Sequence, residues 1–308
     1  MKNSATRSII IASPHGFCAG VERAVQIAET TLKRHPKPVY CLRQIVHNSQ
    51  IVESMRARGM VFVDDIRDVP GGATILFSAH GVSPAVRKAA VELNLRTIDA
   101  TCPFVTKVHD KVRHYAEKGY SILLVGDRHH DEISGVAGEA SDCVKIVETE
   151  SEAETVTVKD PGKVAVVTQT TLSLDELSGI LAVLRRRFTS LRTPSKMDIC
   201  YATQNRQEAV RLLAPRVDVF IILGSENSSN SNRLAKVARE GGCRAHLASS
   251  IEKLSGVPLD EATNLGLTAG ASTPECFVRE SIDHLKARGF DRVHEFIAVK
   301  EITHFPGV

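Results

Sequence analysis

The sequence has no long apolar run. The run nearest its start, from Ile9 to Ala12, is too short to form the core of a signal peptide. No other run approaches the roughly 20 apolar residues that a helix needs to cross a bilayer. We therefore expect a cytoplasmic protein without a membrane segment.

A strong charge of either sign is missing as well. The 308 residues include 39 basic and 36 acidic side chains, which gives a net charge of +3, and only 5% of the residues are aromatic. Because no block of lysine and arginine is interleaved with aromatic residues, nucleic acid is not the expected partner. The composition, 43% hydrophobic and 24% charged, is that of a globular chain long enough for two or three domains.

Cysteine occurs seven times, which is an odd number. In a compartment that keeps thiols reduced, metal binding or catalysis explains these residues better than a disulfide framework does.

Short apolar runs lead directly into polar clusters at five places. These runs are Ile75 to Phe77, Ile122 to Val125, Val164 to Val167, Val219 to Leu223 and Leu265 to Leu267. Continuous apolar runs of this length predict strands of a parallel sheet that are buried on both faces. Helical patterns occur at 175–188, 231–240 and 273–288, so the predicted fold class is α/β with mostly parallel sheets. Ligands bind beyond the carboxyl ends of such strands, although the same polar residues also serve as helix caps.

Three of the cysteines share one local setting. Cys18, Cys102 and Cys200 each follow a short strand-like run and precede a helix-like one. Near a helix N-terminus the peptide dipoles favour the thiolate, which is the form that binds metal. The similar spacing of the three predicts three similar α/β modules, and a pseudo-threefold arrangement would bring the thiolates together.

Three thiolates without a fourth suit two metal centres. One is a 4Fe–4S cluster with one iron open to substrate, and the other is a zinc ion with water in its open position. The alternative is that the three are small buried hydrophobic residues, which is the commonest state of a free cysteine. We expect that state for the four cysteines outside the shared setting, Cys41, Cys143, Cys243 and Cys276.

Ordered motifs from residue 16 to about residue 276 resemble those of the LytB family of 4-hydroxy-3-methylbut-2-enyl diphosphate reductases. They are Gly16-Phe17-Cys18-Ala19-Gly20-Val21, Ile45-Val46-His47-Asn48, Ser78-Ala79-His80-Gly81-Val82, Asp99-Ala100-Thr101-Cys102-Pro103, Thr168-Gln169-Thr170-Thr171-Leu172-Ser173, Asp198-Ile199-Cys200-Tyr201-Ala202-Thr203, Asn227-Ser228-Ser229-Asn230-Ser231-Asn232-Arg233-Leu234 and Thr268-Ala269-Gly270-Ala271-Ser272.

The resemblance implies three α/β modules around a central 4Fe–4S cluster that is held by Cys18, Cys102 and Cys200. We place the modules at 1–101 with 285–308, at 102–196 and at 197–284. The first would carry Cys18, His47 and His80; the second Cys102, His130, Glu132 and Thr170; the third Cys200, Ser228, Ser229, Asn230 and Ser272.

The resemblance also implies a reaction, the reductive dehydroxylation of (E)-4-hydroxy-3-methylbut-2-enyl diphosphate at the open iron. The products would be isopentenyl and dimethylallyl diphosphate, as in the last step of the non-mevalonate (MEP) pathway of isoprenoid synthesis. The electrons would come from a ferredoxin or a flavodoxin.

Each site residue has a role that the resemblance implies and an ordinary alternative. Glu132 would be the acid, with a pKa raised by burial, although its polar surroundings alone predict a solvated surface carboxylate. Thr170 would orient the substrate hydroxyl or relay the proton, or else merely cap the next helix. The diphosphate would contact residues that donate hydrogen bonds, namely His47, His80, His130, Ser228, Ser229, Asn230 and Ser272. A histidine after a strand is more often structural.

Several positions depart from the family pattern. His15 stands where an arginine is usual, Arg43 and Gln44 where a histidine and an acid are expected, and Glu226 where a lysine is common. The segment Lys300 to Val308 also departs from the usual closing strand. None of these changes removes a predicted ligand or the acid, so we expect the chemistry to survive.

Three other functions fit part of the pattern. A quinolinate-synthase-type enzyme also takes three cysteines from three modules, but it does not account for the Ser228-Ser229-Asn230 and Thr168 to Thr171 motifs. A zinc hydrolase would be colourless and free of sulfide. A redox sensor would need no proton donor, and so would not require Glu132.

Overall fold

The structure is a computed structural model that describes residues 6–193, 198–303 and 305. The chain divides into two compact units. Unit 1 takes the described residues of Met1–Ala19, His47–Ile51 and Tyr201–His304. Unit 2 takes those of Gly20–Val46, Val52–Cys200 and Phe305–Val308.

Strands and α-helices alternate along the described chain except between β3 and β4, where no α-helix intervenes, and between α7 and α8, which follow each other directly. The strands are β1 (Ser8–Ser13), β2 (Val39–Leu42), β3 (Met60–Val63), β4 (Thr74–Phe77), β5 (Arg96–Asp99), β6 (Ser121–Val125), β7 (Val144–Val147), β8 (Val164–Thr168), β9 (Val219–Leu223), β10 (Arg244–Ala248), β11 (Asn264–Ala269) and β12 (Arg292–Ile297). The α-helices are α1 (Ala19–Arg34), α2 (Ser49–Ala57), α3 (Pro84–Glu92), α4 (Pro103–Glu117), α5 (Asp131–Ala137), α6 (Glu150–Thr155), α7 (Leu174–Arg187), α8 (Tyr201–Leu213), α9 (Ser229–Glu240), α10 (Ile251–Ser255) and α11 (Glu275–Ala287).

Unit 1 contains a parallel sheet with the strand order β10-β9-β11-β1-β12. Because successive side chains of a strand point to opposite faces, the run Val219 to Leu223 supplies both sides of the sheet. Val219, Ile221 and Leu223 pack with residues of α10 and α11, whereas Phe220 and Ile222 pack with residues of α8 and α9. Both faces of β9 are therefore covered by helices, and this strand lacks the polar alternation of a one-sided sheet.

Unit 2 contains two further parallel sheets, with the strand orders β3-β2-β4-β5 and β7-β6-β8. In the second of these, Leu123 and Val166 pack on the apolar face of α7. Ile122 and Leu124 pack on the other side against α4 and α5. The polar clusters that follow β4, β6 and β8 therefore begin at the carboxyl ends of strands whose residues are fully buried.

The predicted fold class is confirmed, since the structure is α/β with three parallel sheets. All five predicted strands are present, and all three predicted helices exist with no end shifted by more than two residues. Within the described residues, no helix is long and apolar enough to cross a membrane.

The strand partners of β1 differ from the predicted grouping. The sequence placed residues 1–101 with 285–308, and β1 does pair with β12. Its other neighbour is β11, so both strands lie in the sheet of β9 to β11 and not in the sheet of β2 to β5. An apolar run predicts a buried strand but carries no information on its hydrogen-bonding partner. The module boundaries themselves stay a prediction.

Candidate active site

Cys18 lies in unit 1, in the turn between β1 and α1. The backbone N–H of Cys18 donates to the carbonyl of Ala271 over 3.2 Å, and that of Gly16 donates to Ala269 over 3.1 Å. Gly16 has a φ of +68°, a left-handed conformation that a residue without a side chain adopts at little cost. The turn is thus held against the residues that follow β11.

Cys102 lies in unit 2 and is the N-cap residue of α4, directly followed by Pro103 at the first helical position. The carboxylate of Asp99, at the end of β5, accepts from the backbone N–H of Thr101 over 2.9 Å and also from its hydroxyl. The N–H of Cys102 donates to the carbonyl of Ala79 over 3.0 Å. This last bond joins the Cys102 turn to the loop that carries His80.

Cys200 directly precedes α8, but the two residues before it form a bend where the sequence predicted a strand. The carboxylate of Asp198 is turned inward, where it accepts from the N–H of Thr168 over 3.1 Å and pairs with Lys111. Burial raises the pKa of Asp198 against the opposing effect of Lys111. Because these contacts hold the Asp198 carboxylate in a buried position, the backbone directly before Cys200 forms a bend and not a strand.

The donor chemistry of these three cysteines fits an iron–sulfur cluster. All three are half-buried and stand at the start of a helix, where an anionic sulfur is stabilised by the peptide dipoles. The other cysteines differ from them. Burial raises the pKa of the Cys41, Cys143 and Cys243 thiols, which disfavours the ligand form. Cys276 is exposed, so the expectation that it is a buried core residue is wrong.

His80 and His130 meet within unit 2. Their ring centroids are 5.4 Å apart, with the planes at 87°. His130 is the N-cap of α5, and its Nδ1 accepts from the backbone N–H of Glu132 over 3.1 Å. Since an accepting nitrogen carries no proton, a neutral His130 has its ring proton on Nε2. The ring can therefore donate a hydrogen bond while its other nitrogen fixes the start of α5.

Glu132 is buried, with 2% of its surface exposed, and both of its carboxylate oxygens contact Thr170. Oε1 accepts from the backbone N–H of Thr170 over 2.7 Å, and Oε2 lies 2.7 Å from the hydroxyl. The surface position that the polar stretch alone predicted is thereby excluded. Thr170 does not cap α7, because Ser173 does so with a full capping box. The carbonyl of Thr170 accepts from the N–H of Cys200 over 2.9 Å, so one residue bonds both the acid and a cysteine.

The N-terminus of α9 in unit 1 holds the Ser228, Ser229 and Asn230 motif. Ser228 is the N-cap, and its hydroxyl oxygen accepts from the N–H of Ser231 over 3.3 Å. Asn230 is 5% exposed, and neither its amide nitrogen nor its amide oxygen has a hydrogen-bond partner among the described residues. A buried amide without partners is costly unless something else occupies its donor and acceptor. The donor and the acceptor of this amide are therefore available to a polar ligand.

Ser272 and His47 contact each other in unit 1. The Ser272 hydroxyl donates to the backbone carbonyl of His47 over 2.9 Å. The hydroxyl proton of Ser272 is therefore engaged with the His47 carbonyl, and it must turn away from this carbonyl before it can donate to an anion. The N–H of Ser49 donates to the hydroxyl oxygen of Ser225 over 2.9 Å, which anchors the same segment.

Sequence reasoning missed several supporting residues, among them Ser225 and two arginines. Arg233 binds the hydroxyl of Ser229 from one turn further along α9, a contact that the four-residue spacing could have indicated. Arg206 donates to the backbone of the turn that carries Cys18. No local pattern pointed to Arg206, because its contacts are far away in sequence.

This chain is similar to known proteins both in sequence and in structure. The family model described as LytB protein matches residues 9–286. The chain belongs to the LytB family. A LytB protein of Nocardia farcinica, named 4-hydroxy-3-methylbut-2-enyl diphosphate reductase, is 47% identical over 300 residues, which are 97% of this chain and 89% of that protein. One of Ralstonia nicotianae with the same name is 45% identical over 302 residues, 98% of this chain and 93% of that protein.

A solved LytB-family fold matches the structure closely. The E-1-hydroxy-2-methyl-but-2-enyl-4-diphosphate reductase of Plasmodium falciparum aligns with a TM-score of 0.94 at 34% identity, covering 98% of this chain and 95% of that one. A second solved structure, of (E)-4-hydroxy-3-methyl-but-2-enyl diphosphate reductase, aligns with a TM-score of 0.65 at 34% identity, covering 92% of this chain and 100% of that one.

Positions that depart from the usual LytB pattern have partners in this chain. Arg43 pairs with Asp131 next to the acid, and Glu226 pairs with Lys253. The Nδ1 of His15 lies 3.1 Å from the hydroxyl of Ser13, and burial lowers the pKa of this histidine. In the departing C-terminal segment, His304 and residues 306–308 lie outside the described residues. The substitutions are thus accommodated by local pairs.

Proposed function

We propose that this chain is a 4-hydroxy-3-methylbut-2-enyl diphosphate reductase. The substrate would lose its hydroxyl oxygen as water, with the C–O bond broken and a C–H bond formed, at the expense of two electrons and two protons. Isopentenyl and dimethylallyl diphosphate would be the products, as befits the terminal step of the non-mevalonate pathway. The observation that carries the proposal is the buried carboxylate of Glu132, bonded through Thr170 to the backbone of Cys200.

The cofactor that we propose is a 4Fe–4S cluster held by Cys18, Cys102 and Cys200. Their half-buried position at helix starts supports this set. Burial raises the thiol pKa of Cys41, Cys143 and Cys243, and Cys276, although it lies in the first turn of α11, is exposed. When bound, such a cluster supplies the electrons and a Lewis-acidic iron, which no side chain can replace.

Proton delivery falls to Glu132 and Thr170. The backbone N–H of Thr170 fixes Oε1, and Oε2 is the oxygen that would exchange a proton with the Thr170 hydroxyl. When Glu132 is ionised, the Thr170 hydroxyl donates to Oε2; when Glu132 is protonated there, its own proton is donated to the hydroxyl oxygen. The hydroxyl proton of Thr170 is then free to turn to the substrate oxygen. The pair thus moves one proton over a single short contact, which is the geometry that general acid catalysis needs.

The diphosphate would be bound by neutral donors. The amide of Asn230, the hydroxyls of Ser228 and Ser229 and the positive end of the α9 dipole suit an anion. In unit 2, the Nε2 proton of His130 is a further donor. The chain thus needs no glycine-rich phosphate loop, and the contacts of the substrate would be set by side chains at strand ends.

The electron donor would be a small redox protein, a ferredoxin or a flavodoxin, because each turnover consumes two electrons that the cluster would have to regain from outside the chain. The reducing cytoplasm would be the suitable compartment, since it keeps cysteine thiols available as ligands.

Anaerobic turnover tests the proposal. Protein reconstituted with iron and sulfide is mixed with a reduced dye and the hydroxylated allylic diphosphate, and dye oxidation and both products are followed. We expect turnover in the wild type, none in Cys18→Ser, Cys102→Ser or Cys200→Ser, and wild-type turnover in the control Cys276→Ser, whose side chain is exposed. A protein that holds a cluster but forms neither product would refute the assigned reaction.

A further inference from the structure

Arg206 is a buried cation that the chemistry above does not use. It lies in the second turn of α8 and has 0% of its surface exposed. One terminal nitrogen donates to the carbonyls of Gly16 over 2.9 Å and Phe17 over 3.4 Å. Its Nε has no partner among the described residues, so the two terminal nitrogens supply the compensation that a buried charge requires.

The counter-ion of Arg206 comes from the far end of the chain. The other terminal nitrogen lies 2.9 Å from Oε1 of Glu301 and donates to the carbonyl of Ala202 over 3.0 Å. The same oxygen of Glu301 accepts from the amide of Asn205 over 3.1 Å, and the side chain of Glu301 is 16% exposed. The carboxylate is therefore fixed by two donors on α8, and the segment after β12 is tied to that helix.

These contacts complete the support of the Cys18 turn. The N–H groups of Gly16 and Cys18 are bound by the carbonyls of Ala269 and Ala271. The carbonyls of Gly16 and Phe17 face the other way and are bound by Arg206. The peptide group between Phe17 and Cys18 is thereby fixed on both its donor and its acceptor side, and the group between Gly16 and Phe17 is fixed on its acceptor side. A turn fixed in this way holds the direction of the Cys18 side chain.

We propose that the Arg206–Glu301 pair is a positioning device for Cys18, in which the C-terminal segment neutralises the arginine that holds the cysteine's turn. The inference rests on the proposed function only where it treats Cys18 as a cluster ligand. Neither residue touches the substrate, so both are positioning residues. Loss of either partner would loosen the Cys18 turn while the turn of Cys102 keeps its own support.

Site-resolved alkylation of the cluster-free full chain tests the positioning. After iron is removed with a chelator, the protein is treated with iodoacetamide under native conditions, and mass spectrometry gives the modification rates of Cys18 and Cys102. The ratio of the two rates should rise about tenfold in Arg206→Met, because charge-assisted hydrogen bonds no longer oppose local opening. Arg206→Lys keeps the charge but not the forked geometry, so a smaller rise is expected.

Two further variants make the result decisive. Glu301→Ala changes a partly exposed residue outside the sheet and should raise the ratio if Arg206→Met fails to fold. Arg211→Met removes an arginine from the same helix that is 37% exposed, and its ratio should equal that of the wild type. A general loss of stability would raise both rates together and leave the ratio unchanged. A ratio within about twofold of wild type in both Arg206→Met and Glu301→Ala would overturn the inference.

Cluster retention separates this inference from the proposed function. In reconstituted protein, chelator should remove iron about tenfold faster from Arg206→Met than from wild type or Arg211→Met, since one ligand opens more often. Equal loss rates would count against a role at Cys18. If wild-type protein takes up no iron at all, the proposed function fails, and the alkylation ratio alone decides on the Arg206–Glu301 pair.

Discussion

Replacing Glu132 with glutamine removes the exchangeable proton of this side chain but keeps its size and shape. Both carboxylate oxygens contact Thr170, one through its backbone N–H and the other through its hydroxyl, each over 2.7 Å. In Glu132→Gln the amide oxygen must face the N–H, because that donor cannot be reversed. The amide nitrogen then faces the Thr170 hydroxyl, which can accept. Both hydrogen bonds to Thr170 are kept, and the exchangeable proton is lost.

The expected magnitudes for stability and rate differ widely. Neutral hydrogen bonds replace charge-assisted ones, so the free energy of unfolding should change by about 1–2 kcal/mol at most. The turnover rate should fall by roughly 10²–10⁴-fold, which is the usual contribution of a positioned acid. Thr170→Val should lower the free energy of unfolding by about 1–3 kcal/mol, because it removes the hydroxyl that donates to the buried Oε2.

Anaerobic turnover and urea unfolding of the same preparations measure both quantities. Asp131→Asn is the matched control, since it neutralises the adjacent carboxylate, which pairs with Arg43. If Glu132→Gln keeps more than about a third of the wild-type rate with a full complement of iron, Glu132 is not the proton donor, since a positioned acid contributes far more than that.

Three other substitutions have consequences that follow from the geometry. Asn230→Ala removes a buried amide without partners, so it should raise the KM for the diphosphate by about tenfold while the free energy of unfolding in urea falls by less than about 1 kcal/mol; a large loss of stability with unchanged KM would contradict this. Gly270→Ala places a methyl group against the buried Ser231 hydroxyl and should lower the free energy of unfolding by about 1–3 kcal/mol. Gly256→Ala, whose added methyl group would lie 3.6 Å from the nearest atom, should lower it far less. Equal unfolding midpoints for the two variants would refute the predicted clash. Burial lowers the pKa of His109 from 6.5, so as the pH falls the unfolded chain binds a proton before the folded chain does, and the free energy of unfolding decreases below about pH 6.5. His109→Gln should make the free energy of unfolding depend less steeply on pH in urea titrations between about pH 7 and pH 5. An unchanged dependence would show that His109 contributes nothing to it.

The local elements of this fold were largely predictable. Runs such as Val219 to Leu223 are apolar on both faces, and only a strand covered by helices on each side buries all of them. Helix α7 carries its own start signal in Ser173 and Glu176 and a basic last turn. Such signals lie within a few residues of one another, so they can be read without knowledge of the rest of the chain.

Long-range partners were not predictable in the same way. The pairing of β1 with β11 joins Ile9 to Leu265, and no property of either run names the other. The bend before Cys200 depends on where the Asp198 carboxylate finds its donors, on β8 and on α4. The pair Asp198-Ile199, one polar and one apolar residue, is compatible with a strand or with a bend, and only the donors to Asp198 decide between the two.

The candidate site shows the same division. The shared local setting singled out the three cysteines and motif resemblance supplied Glu132 and Thr170, but neither predicted the bond that joins these last two residues. Arg206 gave no signal, because a buried arginine is recognised by its acceptors, and these come from the Cys18 turn and from Glu301 near the end of the chain.

The electron balance of turnover is the most direct test of the central claim. Wild-type protein with its cluster is given a known amount of hydroxylated allylic diphosphate and an excess of reduced dye under anaerobic conditions. Dye oxidation, both isoprenoid diphosphates and released phosphate are then measured on one sample. The account predicts two electrons consumed for each molecule of product and no phosphate. Phosphate release without dye oxidation would identify a hydrolase and contradict it.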